Sequence, residues 1–196
     1  MTQGKVPEDD GLVRCDWANT SFTAYREYHD REWGVPCHDE RTLFELLILE
    51  GMQAGLSWST VLKKRAAFRE AFDGFDPGKM AVYGPEKIER LLSDPGIIRN
   101  RLKVEAAVGN ARAYASLCER HGSLDSYLWS FADGRPIVNG WETTSQIPAR
   151  TALSDEISGD LKHMGFRFAG STIVYAWMQS VGVVNDHILP CAFRRA

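Results

Sequence analysis

No stretch of the 196-residue chain approaches the roughly 20 consecutive apolar residues that a membrane-spanning helix needs. The opening residues, MTQGKVPEDDG, lack a basic start leading into an apolar run, which argues against a secretory signal. They read instead as a disordered tail, residues 1–12, ahead of a single domain at 13–196. The cytoplasm is the expected location and a monomer the expected state. Cysteine is scarce. Cys15, Cys37, Cys118 and Cys191 are too scattered for a disulfide framework. There is no excess of positive charge, the formal net charge being −3. That excludes a broadly basic coat but leaves room for a local basic patch. Repeats and low-complexity segments are missing too, and no segment alternates polar and apolar residues over a strand length. The fold class that remains is all-α.

What is there is helical punctuation. Asp39 can cap a helix reaching Glu50, in which Leu43, Phe44, Leu46, Leu47 and Ile48 are apolar nearly all round, as in a deeply buried helix. Ser57 can cap the next, with Trp58, Val61, Leu62, Phe68 and Phe72 at helical spacing. Asp76 followed by Pro77 starts a short helix, and EKIERLL follows Pro85. A long helix is predicted from about Asn100 to His121, closed by Gly122. SYLWSF, ALSDEISGDLKHMGF and GSTIVYAWMQSVG supply three more, separated by the irregular DGRPIVNGWETTSQIPAR.

Between two of these helices lies the turn Asp94-Pro95-Gly96. The amides from Gly96 through Ile97 and Ile98 to Arg99, with Arg99, Arg101 and Lys103 beside them, suit a phosphate. Such a hairpin grips a nucleic-acid backbone without reading sequence. A plain helix connection with a solvated basic face explains the same residues. Lys63, Lys64, Arg65 and Arg69 form a second cationic group on one helix, and Arg112 lies further along the hairpin's second helix.

Glu50 ends an oily run and is followed by Gln53, Gly55 and Leu56. Trp17, Phe22, Tyr25, Tyr28 and Trp33 lie upstream, and Trp58 downstream. An exposed glutamate at a helix end is the commoner fate. A buried one stays ionised only where donors or a cation meet it. A carboxylate among flat aromatic faces suits a planar ring carrying positive charge, such as a purine alkylated at N3. An enzyme acting on such a base takes it out of the stack, and Leu56 beside flexible Gly55 could fill the gap.

Cys15 and His29 near one end, with His187 and Cys191 near the other, form a candidate tetrahedral zinc set. A spacing of four would put His187 and Cys191 on one face of a helical turn. Asp30 and Asp186 could orient the histidines. Buried cysteines and hydrogen-bonded histidines account for the pattern equally well.

The motifs RCDW, YHDREWGVP, LEGMQAGLSWSTVLKKR, DPGIIRNRLK, GNARAY, GFRFAGSTIVYAWMQSVGVVNDH and H-x3-C together cover almost everything from Arg14 to Cys191. The chain thereby resembles the 3-methyladenine DNA glycosylase I family of the helix-hairpin-helix superfamily. The resemblance implies an all-α fold and one structural zinc on Cys15, His29, His187 and Cys191. It implies a base pocket of Glu50, Trp17, Tyr25, Tyr28, Trp33 and Trp58, and hydrolysis of the N-glycosidic bond of 3-methyladenine in alkylated duplex DNA. DNA contacts then fall on Gly55, Leu56, Lys63, Lys64, Gly96, Ile97, Ile98, Arg99 and Arg101. The expected event is stacking of the flipped base on Trp58 and a tyrosine beside an ionised Glu50. Leu102 and Pro190 depart from the pattern; Pro190 lacks an amide hydrogen, so distortion of the turn carrying Cys191 is expected.

Overall fold

The computed structural model describes residues 10–195. Nine α-helices dominate them: α1 (Thr23–Arg31), α2 (Glu40–Gln53), α3 (Trp58–Ala71), α4 (Pro77–Ala81), α5 (Pro85–Ser93), α6 (Arg101–His121), α7 (Leu124–Ser130), α8 (Ala152–His163) and α9 (Ser171–Ser180). Of the expected tail at 1–12, residues 1–9 lie outside the described part. Asp10 is tied to Arg14 at 2.7 Å and to Arg26 at 2.9 Å.

The predicted caps are in place. Asp39, Ser57, Asp76 and Asn100 each accept a backbone N–H from the first turn of the helix they open. Helix α2 carries ten consecutive buried residues, Leu43 to Met52, and packs against α3, α6, α7 and α9. Its all-round apolarity is the sequence signature of that central position. Trp177 of α9 fastens to it, the indole N–H donating to the Leu43 carbonyl at 2.9 Å.

One departure from the all-helical expectation is a parallel pair of two-residue strands, β1 (Ile137–Val138) and β2 (Val184–Asn185). Two residues cannot show an alternation, so the pair left no periodic trace. It docks the irregular segment after α7 beside the chain's last turn. Entry to that turn depends on Gly182, at φ 73°. A Cβ there would lie 2.2 Å from the Val35 carbonyl carbon, so no other residue fits without moving backbone. Among the described residues, no helix is long and apolar enough to cross a membrane.

Candidate base pocket and backbone-binding hairpin

Helices α1, α2, α3 and α9 surround a cavity of about 330 Å³. Trp17, Tyr25, Tyr28, Trp33, Glu50 and Trp58 all line it, so the sequence-predicted pocket residues do converge. Phe22 does not; its ring lies under the Lys63 ammonium at 5.1 Å. Gln53, Thr144, Ile147, Ala176 and Gln179 complete the walls. Thr144 and Ile147 come from the stretch read as irregular, and α1 escaped the sequence reading altogether. Nothing in their local pattern announces a wall.

Tyr28 and Trp58 stand with ring centroids 5.3 Å apart and planes at 51°. Flat rings with a base between them need about 7–8 Å, twice a van der Waals contact. A base therefore lies against this pair rather than between its members. Trp17 packs edge-on to Trp33 at 5.0 Å. The Trp58 Nε1–H, buried, has no partner among the described residues.

Glu50 is 4% exposed and accepts no hydrogen bond from any described residue. Burial pushes its pKa up to about 8. With no donor or cation meeting it, the carboxyl favours its neutral form, as expected of an unpartnered buried carboxylate. The cations that could have charged it are used elsewhere. Arg65 donates to Glu45 at 2.5 Å and to Glu32 at 2.6 Å, and Arg69 donates to Glu45 at 3.0 Å. Burial, and then the Glu50 carboxyl, raises the Tyr25 and Tyr28 hydroxyls, which therefore stay protonated.

Just past Gln53, which lines the cavity, α2 ends in a short loop. Gly55 has φ 75° with open space where a Cβ would be, and Leu56 is 43% exposed. Lys103 of α6 reaches under this loop and donates to the carbonyls of Met52 at 2.8 Å and Ala54 at 2.6 Å. Burial lowers its pKa. Lys103 is therefore an internal strut, not a surface cation as the sequence suggested.

Helices α5 and α6 flank the Asp94–Asn100 turn. The Gly96 N–H is not open to a ligand: it donates to the Asp94 carboxylate at 2.7 Å. The Ile97 N–H turns back to the Asp94 carbonyl at 3.4 Å. Among the described residues the Ile98 and Arg99 amides have no partner. Ile97 is buried and anchors the turn, and Ile98 is half-buried. Lys64 donates to the carbonyls of Pro95 at 2.8 Å and Gly96 at 3.2 Å, bracing the turn from α3. Arg101 pairs with Glu89 at 2.8 Å, and Arg112 holds the Ala81 carbonyl at 2.9 Å. Exposed Lys63 and Arg99 carry no ion pair.

At the joined chain ends, one ligand atom each of Cys15, His29 and Cys191 lie within 4.8 Å of one another, all three residues buried. His187 stands just outside this trio, its ring 4.7 Å from that of His29. His29 Nδ1 lies 2.8 Å from an Asp30 carboxylate oxygen, and its Nε2 lies 3.7 Å from the Cys191 sulfur. The Asn185 amide nitrogen donates to the Arg195 carbonyl, so its oxygen accepts from the His187 backbone N–H and from His187 Nδ1 at 2.9 Å. His187 Nε2 lies 3.3 Å from the His29 carbonyl oxygen. Burial, then His29, pushes the His187 pKa down to about 4. The hydrogen bond between the two thiols lowers the pKa of Cys191 and raises that of Cys15. Two expectations are corrected here. His187 and Cys191 do not share a helical turn but a tight one, Cys191 N–H to Ile188 carbonyl at 2.9 Å, which Pro190 leaves intact. And it is Asn185, not Asp186, that orients His187.

A family model described as Methyladenine glycosylase matches residues 17–195. The Escherichia coli K12 protein named DNA-3-methyladenine glycosylase 1 is 48% identical over 180 residues, 92% of this chain and 96% of that one. A Haemophilus influenzae protein named DNA-3-methyladenine glycosylase is 45% identical, over 91% of this chain and 96% of its own. Among solved structures, 3-methyladenine DNA glycosylase I from Staphylococcus aureus, described for its recognition of 3-methyladenine, superposes with a TM-score of 0.91 at 36% identity, covering 94% of this chain and 98% of that one.

Proposed function

The chain belongs to the methyladenine glycosylase family, and from that premise we propose how its residues carry out the reaction. It is a DNA repair glycosylase that hydrolyses the N-glycosidic bond of 3-methyladenine in alkylated duplex DNA and leaves an abasic site. The observation that carries the reading of the pocket is Glu50, a buried carboxyl without a partner in an aromatic cavity.

The N3-methylated nucleotide is cationic. As it enters, its charge stabilises the carboxylate, and Glu50 gives up its proton to solvent. The aromatic faces of Trp58, Tyr28, Tyr25, Trp17 and Trp33 add cation–π attraction. Ordinary adenine brings no charge and must share the pocket with a neutral acid. The glycosidic bond then breaks with its electron pair passing to the ring, which leaves as a neutral base. Glu50 carboxylate faces the positive charge shared by ring and sugar, and water adds to the sugar carbon and loses a proton. The sequence marks no lysine for Schiff-base chemistry, so the enzyme is monofunctional.

The α5–α6 unit acts as a helix-hairpin-helix clamp on one phosphate, through the amides of Ile98 and Arg99 with the Arg99 charge. Arg101, Lys64, Gly96 and Ile97 shape that turn, and Lys63 faces the backbone. Leu56 enters the space the base vacates, with Gly55 giving the loop its freedom. Cys15, His29, His187 and Cys191 would hold one zinc ion. Two imidazoles and two sulfurs brought together fit its preference for a tetrahedral N/S donor set. It would staple the chain ends and supply no chemistry, four protein ligands leaving no open position. Residues 13–196 act as one catalytic domain, working as a monomer.

The test is to incubate the protein with methylated duplex DNA and identify what is freed. Release of 3-methyladenine with an intact backbone supports the reading. Tight binding to damaged duplex without release makes it a damage-binding protein instead, and activity on free methylated nucleosides alone makes it a nucleosidase.

A further inference from the structure

Asp186 is fully buried and faces no cation, yet four donors meet its carboxylate. The Asn139 amide and the Trp141 indole N–H donate to Oδ1, each at 2.7 Å. The Tyr175 hydroxyl and the Gln179 amide nitrogen donate to Oδ2, each at 2.7 Å. Three of these donors lie away from the base cavity. The fourth, Gln179, lines it.

A carboxylate can only accept. Flipping the Gln179 amide would set oxygen against oxygen inside the protein and cost the Asp186 acceptor a partner. Asp186 is itself immobile, pinned by Tyr175 from α9 and by Asn139 and Trp141 from the segment after β1. The Gln179 amide therefore has one allowed orientation. One of its two N–H groups is held by Asp186, which fixes the amide, and its oxygen accepts from no described residue. At the position of that oxygen the side chain can only accept, because the flip that would bring the nitrogen there is the one Asp186 forbids.

We propose that Gln179, held by Asp186, is a specificity-determining residue whose amide oxygen accepts a hydrogen bond from the exocyclic amine of the flipped base, favouring bases with an amine over those with a carbonyl at ring position 6. The inference rests on the base-excision reading above. A carbonyl in the amine's place would put two acceptors together in a site that excludes water, which is how a built hydrogen-bonding site rejects the wrong group.

The test measures initial rates of release of 3-methyladenine and 3-methylguanine from methylated duplex DNA, for the wild type and for Gln179→Met, which keeps length and loses the acceptor. The expected result is a fall of about tenfold or more in the ratio of 3-methyladenine to 3-methylguanine release, with a lower melting temperature from the donor lost to Asp186. A variant that keeps the wild-type ratio overturns the inference and leaves the base-excision reading intact. A wild type that frees no methylated base overturns both. Should Gln179→Met fold poorly, the wild type alone decides, by calorimetry with free 3-methyladenine and 3-methylhypoxanthine. A preference of about tenfold for the amine supports the inference, and equal binding overturns it.

Discussion

Glu45 and Glu50 stand on the same helix, five residues apart and equally buried, yet Glu45 is met by two arginines and Glu50 by none. Five residues turn a helix by about 140°, so the two carboxyls face different surroundings. Glu45 looks toward α3 and is paid for by Arg65 and Arg69. Glu50 looks into the cavity, where only a ligand can supply the missing charge.

That difference fixes a pH dependence. With its pKa at about 8 in the folded protein, against 4.5 when free, Glu50 binds its proton more tightly in the native state. Its contribution to stability is complete below about pH 4.5 and is lost as pH rises through about 8. Denaturant titrations should show this loss, on the order of a few kcal/mol, and Glu50→Gln should abolish that component while sharply lowering release of 3-methyladenine. A Gln variant with the wild-type pH profile and wild-type release removes Glu50 from its assigned role.

Chelation tests the joined ends. Protein purified without chelators should carry about one zinc per chain, and stripping it should cost roughly 5 kcal/mol, a fall in melting temperature on the order of 10–20 °C. Metal-free protein that melts at the same temperature refutes the staple.

Gly182 offers a test independent of activity. Its left-handed backbone, and the approach of Val35 to where a Cβ would stand, make Gly182→Ala destabilising by about 2–4 kcal/mol. A urea midpoint equal to wild type would mean that the contact between this turn and Val35 is looser than described.

Lys103 links helix α6 to the loop carrying Leu56. Lys103→Met strips two buried carbonyls of their donor, which costs about 1–3 kcal/mol. We expect excision from duplex DNA to fall while affinity for free 3-methyladenine stays near wild type, because the pocket walls do not include residue 103. Loss of free-base binding to the same degree would show that the strut shapes the pocket itself.

The helices were legible because their ends carry local chemistry: Asp39, Ser57, Asp76 and Asn100 cap within three residues of themselves. The aromatic set around Glu50 was legible by its crowding in sequence. Which partners would reach Glu50 was not, because Arg65 and Arg69 arrive at Glu45 instead. The cations misled for the same reason. Lys64, Lys103 and Arg112 each find a carbonyl some 29 to 51 residues away, and no local pattern separates a strut from a free charge. Asp186 drew attention only as a neighbour of His187, whereas three of its four donors come from Asn139, Trp141 and Tyr175.

Ala192 donates its N–H to the Val13 carbonyl at 2.9 Å, just beside the cluster of Cys15, His29 and Cys191. Trp17, on the same stretch as Cys15, is one wall of the cavity. The other walls run on through Thr144 and Ile147 to Gln179, so a chain cut short before α9 would leave the cavity open on one side however well its first helices fold.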